Sequence, residues 1–417
     1  MATWMTPGVY VEEINQTPVP VVEAPTAMPA FVGYTEKADQ QAPGDLVGRA
    51  TRMTSLASFE ASFGKAAPLT IQDVVLDAAG QFVSAKVAAP YLLHHSLRLF
   101  FANGGSVADV VSVGSFRADA QVRLDDLLAG VQVLAALAEP TLLLCPDAAL
   151  LSAPELGTVQ QAMLQQSARL QNRMALLDTR LDDTLGGAFR DHVGTLGLSY
   201  GAAYTPWLHV HHGCPVPHAA LRDTPIACPP SGAVAGVFAA VDALRGVWKA
   251  PANVAVSGVV APVAALSADN AAALLQVASG KCINTLRFFP GKGLLVWGAR
   301  TLAGNDLEWR YVPVRRLAMM VKTSLQQSTE WVAFEPNNAA TWVRLRGMVE
   351  NYLTLKWRDG ALMGSKPEEA FFVRCGLHET MTELDVQAGR VIVQLGLATV
   401  RPAEFTVLRF SCQTQSA

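Results

Sequence analysis

Three segments near the end of the chain decide how it is read: EPNNAATW at Glu335–Trp342, WRDGALMGSKPEEAFFVRC at Trp357–Cys375, and DVQAGRVIVQLGLATVRPAEFTVLRF at Asp385–Phe410. Trp342, Leu345, Val349, Tyr352 and Leu353 recur at helical spacing, which predicts a helix over Ala339–Arg358 with one apolar face and Arg344, Arg346 and Lys356 opposite. Asn337 or Asn338 can cap its start, and Gly360 follows its end. The following segments read as a hairpin-like pair of strands, and then RPAEFTVLRF ends close to the end of the sequence. A strand in that position is easily left without a neighbour in its own chain, so it is expected to pair with another copy. That expectation points to an assembling structural protein rather than an enzyme.

Upstream, this α+β block begins near residue 305 with a second amphipathic helix, Val314–Val332, whose Leu317, Met320, Val321 and Leu325 share a face. Before it, strands and helices alternate. Ala30–Tyr34, Ala108–Val113, Thr141–Cys145, Met174–Asp178 and Tyr200–Val210 read as strands, and Asp125–Leu137, Pro154–Arg173, Phe189–Gly194 and Ser231–Trp248 as helices. This order predicts an α/β layer on a largely parallel sheet. At the start, the strand-like Gly8–Ile14 lies among Pro7, Pro18, Pro20, Pro25 and Pro29, so residues 1–28 read as an extended arm.

The 417 residues are 51% hydrophobic and 16% charged, with a net charge of −3. That length allows two or three domains. The apolar excess suits surface buried between subunits as well as within them, and the charge offers no basic field for nucleic acid. Neither a signal-peptide pattern nor a run of about 18 apolar residues is present, so no leader and no membrane helix are expected. Cys145, Cys214, Cys228, Cys282, Cys375 and Cys412 form no CxxC pair and read as reduced, mostly buried thiols of a protein made in the cytosol. Gly280-Lys281 has Leu275 and Cys282 where a phosphate loop needs glycine and Ser or Thr, so no nucleotide or other cofactor is expected.

Several ordered motifs resemble the tail sheath family of contractile phage tails and related injection systems. They are TPGVYVEEI at Thr6–Ile14, PAFVGYTEKA at Pro29–Ala38, FFANGG at Phe100–Gly105, PPSGAVAGVFAAVDALRGVWKAPAN at Pro229–Asn253, GLLVWGARTL at Gly293–Leu302, YVPVRRL at Tyr311–Leu317 and FEPNNAATW at Phe334–Trp342, with GALMGSKPEEAFFVRC and the RPAEF strand closing the set. The resemblance implies residues 1–28 as an N-terminal arm, 29–304 as a central subtilisin-like but non-catalytic α/β domain with room for an outer subdomain, 305–403 as an inner α+β domain, and 404–417 as a C-terminal arm strand. It implies six-membered rings stacked helically around an inner tube, with baseplate and terminal cap proteins as further partners and no membrane insertion. Contraction from a metastable extended state then drives the tube through a target envelope. Assembly is expected in the bacterial cytoplasm, with the particle a phage tail or a released relative of one.

Four groups of residues are candidates for sites. Gly197-Leu198-Ser199-Tyr200-Gly201 fits the pattern of a hydrolase nucleophile and supports the alternative of a serine hydrolase of subtilisin-like ancestry, but a helix precedes it and a strand follows, the reverse of the required order. His209 and His211 share a strand face and are weak metal candidates, against the bland reading of a polar strand end. Arg315, Arg316 and Lys322 are candidate contacts to an acidic inner tube, against the bland reading of a solvated helix face. Val9, Tyr10, Val11 and Glu12, with Phe405, Thr406, Val407 and Leu408, are the candidate inter-subunit arm strands. Each backbone hydrogen bond in such a strand pair supplies only about 0.5–1.5 kcal/mol, but the bonds repeat in every subunit. Deleting residues 1–15 should therefore leave a folded monomer that forms no long sheaths; sheaths of normal length in electron micrographs would refute the arm assignment.

Overall fold

The computed structural model describes residues 20–399 and the backbone of residues 405–413, so the Val9–Glu12 arm strand lies outside the described residues. Two compact units divide the chain: Glu23–Thr323, and Met1–Val22 with Ser324–Ala417.

In the larger unit the strands are β1 (Pro29–Thr35), β2 (Ala50–Met53), β3 (Thr70–Leu76), β4 (Phe82–Ala88), β5 (Ala108–Ser115), β6 (Leu142–Leu144), β7 (Met174–Asp178), β8 (Gly201–Thr205), β9 (Leu208–Val210), β10 (Ile226–Cys228), β11 (Val254–Ala255), β12 (Ala261–Pro262), β13 (Ile283–Phe289) and β14 (Gly293–Trp297). Between them run α1 (Leu56–Phe63), α2 (Leu93–Ala102), α3 (Leu124–Val133), α4 (Ala153–Leu170), α5 (Gly187–His192), α6 (Ser231–Arg245) and α7 (Ala268–Leu275). Nine strands form the main sheet in the order β11-β14-β13-β8-β7-β6-β1-β5-β2. From β13 to β5 neighbouring strands are parallel, and the outer pairings are antiparallel.

Both faces of this sheet are covered, as near-continuous apolar strands require. Phe31, Leu144, Leu176 and Tyr204 point into a core with Leu97, Phe100 and Phe238 of α2 and α6. Their neighbours Val32, Leu143, Leu177 and Ala203 point into a second core with Leu127, Val159 and Leu164 of α3 and α4. The period of two along each strand assigns alternate residues to opposite faces. α4 starts with a capping box, Ser152 with Glu155, and ends at Gln171, whose φ of 58° terminates the helix in the left-handed region.

α2 and α6 approach to glycine distance. A Cβ on Gly232 would stand 2.4 Å from the Ser96 carbonyl oxygen, and one on Gly236 would stand 2.5 Å from that of Phe100. Only residues without a side chain permit this approach.

The expected strand over Tyr200–Val210 is two strands in different sheets. Pro206 has no N–H to give a ladder, and β9 leaves the main sheet to sit between β10 and β12. The Ser231 helix stops at Arg245, where Gly246 takes a φ of 84°, rather than reaching Trp248.

In the smaller unit, α9 (Ala339–Arg358) packs on a three-stranded sheet of β15 (Phe371–Arg374), β16 (Arg390–Ala398) and β17 (Phe405–Gln413). The division between units falls within α8 (Val312–Ser328), which precedes a short 3-10 turn at Glu330–Phe334. Asn338 is the cap of α9, accepting from the N–H groups of Ala340 and Thr341. Asn337 instead donates to the carbonyls of Val386 and Arg390. Leu345, Val349, Tyr352 and Leu353 are buried as the periodicity requires, and so are Val391, Val393, Leu395 and Leu397 of β16. Lys356, expected on the polar face, is buried beside Asp359.

The last strand was expected to lack a neighbour in its own chain, and it has one. β17 runs antiparallel to β16 in unbroken register, from Ala398 opposite Phe405 to Arg390 opposite Gln413. A strand returning beside its immediate predecessor closes a short loop, which costs little entropy.

At the carboxyl end of β7, Asp178 is buried and accepts from the backbone N–H of Ser231 at 2.9 Å and its hydroxyl at 2.6 Å, anchoring the start of α6. Burial pushes this carboxyl up to about 7, although both Ser231 donors pull it down. In the unfolded chain the same group gives up its proton near pH ~4. The stabilisation from the retained proton is complete below about pH 4 and is lost as pH rises to about 7. Relative to Asp178→Asn, the wild type should lose on the order of 1 kcal/mol per pH unit across that window in denaturant titrations. Parallel pH profiles for the two proteins would contradict it.

Candidate assembly interface

An open α/β sheet offers a ligand crevice where its strand order reverses, outside the carboxyl ends of the strands. Here the chain leaves β1 for β5 on one side and then returns to β6 on the other. That crevice is filled from within. Asp147, in the 3-10 turn after β6, is fully buried, and its carboxylate accepts from the backbone N–H groups of Tyr34 at 2.8 Å, Leu92 at 2.5 Å and Leu93 at 3.1 Å. The helix N-terminus that could hold a ligand anion thus holds the chain's own carboxylate. Burial pushes Asp147 up to about 6, against the pull of those three donors.

Ser199 lies in a 3-10 turn, Leu198–Tyr200, that leads into β8. Its hydroxyl accepts from the Arg315 guanidinium at 2.8 Å. A guanidinium stays protonated and cannot act as the base that a nucleophilic serine requires. His209 lies on β9 and His211 just beyond it. His212 is buried, with Nδ1 accepting from the Cys214 N–H and Nε2 3.1 Å from the Leu221 carbonyl. Among the described residues no three His, Cys, Asp or Glu side chains converge as a metal site.

The three cations proposed to face a tube do not share a surface. Arg316 is buried and bidentate with Asp242 of α6, at 2.9 and 2.5 Å. It also donates to the Thr26 carbonyl and lies over the Phe238 ring. Arg315 is buried between the Trp309 and Tyr200 rings, 3.5 and 4.2 Å from their centroids. Burial holds its guanidinium below the usual range. Only Lys322 is partly exposed, and it donates to the Gln171 side chain. The reason is visible in VPVRRLAMMV, residues 312–321: a helix apolar on every side is buried on every side. The two arginines inside that run must find partners within the chain. Asp242, Asp147 and Asp178 were not marked as functional from sequence, although each is a lone acid within or at the end of an apolar run.

The smaller unit offers one surface of a different kind. β17 is the edge of its sheet, and beyond β16 no other strand pairs with it among the described residues. A strand at a sheet edge is the kind of element that strand addition uses. The Phe405–Leu408 candidates lie on this strand, opposite Ala398 to Leu395.

The family model "phage tail sheath protein central domain" matches residues 126–302, and "phage tail sheath C-terminal domain" matches residues 305–413. A chain in the baseplate of the anti-feeding prophage is 31% identical, with a TM-score of 0.68 and coverage of 99% of this chain and 100% of that one. A chain in the contracted sheath complex of the PVC extracellular contractile injection system is 32% identical, with a TM-score of 0.68 and coverage of 100% and 99%. The sheath tail protein of Listeria innocua shares the fold at 11% identity and a TM-score of 0.57, covering 96% of this chain and 97% of that one. No curated protein sequence matches.

Removing one partner of the Arg316–Asp242 pair leaves a buried charge without its counterion. Arg316→Met should cost about 3–5 kcal/mol, while Arg316→Met with Asp242→Leu should recover most of the loss. Chemical denaturation of the three proteins checks this; a single variant as stable as wild type would refute the pairing.

Proposed function

The chain belongs to the tail sheath family, and from that premise we propose that it works as a structural subunit of a contractile sheath. The observation that carries this reading is the full-length match to sheath and baseplate chains, in which neither partner has a large unmatched domain. Copies assemble with one another and associate with a baseplate, as those relatives do. In the finer reading they form hexameric rings stacked helically around an inner tube, closed by a terminal cap.

Contraction draws on two packings of one sequence, with the energy stored at assembly. The place of β17 at the end of its sheet among the described residues supports its use as a connector, with Val9–Glu12 of a neighbour as the incoming strand. Of the three cations, Lys322 keeps the tube-contact role, since burial commits Arg315 and Arg316 elsewhere. The domain division at residues 29–304 and 305–403, and a subtilisin-like ancestry for the first, remain part of this proposal. So do assembly in the bacterial cytoplasm and release within a phage tail-like particle.

The subunit is not an enzyme in this reading. Asp147 closes the crevice, and Ser199 faces a cation. The serine hydrolase alternative has no support. No described helix is long and apolar enough to cross a membrane.

Purified wild-type protein should form cylinders in electron micrographs. A protein that stayed monomeric under all assembly conditions, and whose Ser199 took up a fluorophosphonate probe, would overturn the sheath assignment.

A further inference from the structure

His95, on α2, is fully buried, and no hydrogen-bond partner reaches either of its ring nitrogens among the described residues. A buried polar ring without partners costs stability, where an apolar side chain of similar size would not. A second proton on the ring is costlier still. Arg98 lies one turn along the same helix face, His94 is the preceding residue, and His212 comes from the segment after β9; all three oppose a positive charge on His95.

The carboxylates of the surrounding elements are engaged elsewhere. Glu60 of α1 holds His94 at 2.9 Å, and Glu36 after β1 accepts from the Lys65 N–H. Asp147 after β6 is spent on the backbone of Tyr34, Leu92 and Leu93, and Asp242 of α6 on Arg316. β10 presents a thiol, Cys228, 3.8 Å from the Ser96 hydroxyl. Burial, together with the three cationic neighbours, pushes the His95 ring down to about 3.

The walls of this site differ in how firmly they are fixed. α6 is locked to α2 at Gly232 and Gly236. The segment from His211 to Arg222 has a single 3-10 turn, Ala219–Leu221, and no strand. Arg98 holds it by donating to the carbonyls of His211 and, at 3.0 Å, His212. The His212 ring spans it internally, from the Cys214 N–H to the Leu221 carbonyl. The same segment carries His218, whose ring lies 4.7 Å from that of Phe82 on β4. Arg98 is thus both the clasp of this segment and the foremost charge opposing a protonated His95.

We propose that His95 is an acid-operated latch: protonation of its buried ring drives Arg98 and the 211–222 segment away from α2, and loosens the seat of the β3–β4 hairpin. In the unfolded chain a histidine takes up its proton near pH ~6.5. The folded site refuses that proton until about pH 3. Stability is therefore complete above about pH 6.5 and is lost as pH falls through this window. The latch belongs to the single chain and operates whether or not copies assemble.

The test is hydrogen exchange of the full chain, read by mass spectrometry at pH 7.5 and 4.5, for wild type, His95→Leu and His95→Gln. Between the two pH values the opening of residues 93–102, 211–222 and 82–88 should rise up to about a hundredfold more in wild type than in either variant. Neither variant carries a ring that can take up the proton. An acid response in wild type no larger than in the variants would sink the latch. If the leucine variant fails to fold, the glutamine variant decides. If neither folds, the wild type decides alone: opening confined to these segments supports the latch, and equal opening across β6 and β7 refutes it.

Discussion

Asp147 and Asp178 lie at the carboxyl ends of adjacent strands, and each directs its oxygens at the first turn of a helix. Through these two carboxylates β6 is tied to α2 and β7 to α6. The two helices then meet at Gly232 and Gly236 with backbones nearly in contact. The main sheet, the helix pair and the core between them are consequences of one arrangement. A bound anion in place of either carboxylate would demand a different loop, and a side chain in place of either glycine would separate the helices.

This arrangement also explains how a fold layout common among enzymes can serve a structural role. The crevice at the reversal of strand order is the natural ligand site of an open α/β sheet, and here it is occupied by the chain. The charges that might have served catalysis or recognition are turned inward. Arg316 with Asp242 ties α8 to α6, and Arg315 is stacked between two aromatic rings beside Ser199. Among the described residues, aliphatic side chains stay exposed on the β3–β4 hairpin, and β17 ends its sheet. Those are the materials of assembly, because neither needs a precisely placed reacting group.

Local signals were read well where the determining residues are adjacent. The helix over Ala339–Arg358 and the strand over Met174–Asp178 have the bounds that capping, glycine and apolar runs implied. Reading failed where the answer lay in residues far apart in sequence. Arg315 looked solvated until Trp309, Tyr200 and Ser199 closed around it. Tyr200–Val210 read as one apolar strand, yet its halves serve different sheets on either side of Pro206.

The sequence by itself determined the alternation of strands and helices, the apolar stripe of α9, and the family, since these depend on residue order and local periodicity. Tertiary structure alone decided which charges are internal, which crevice is closed and whether the final strand has a partner. The pairing of a charge or a strand edge depends on groups that the chain brings together only on folding. The segment FTVLRF shows both sides: its β pattern is written in consecutive residues, but that its neighbour is β16 of the same chain was settled only by the fold.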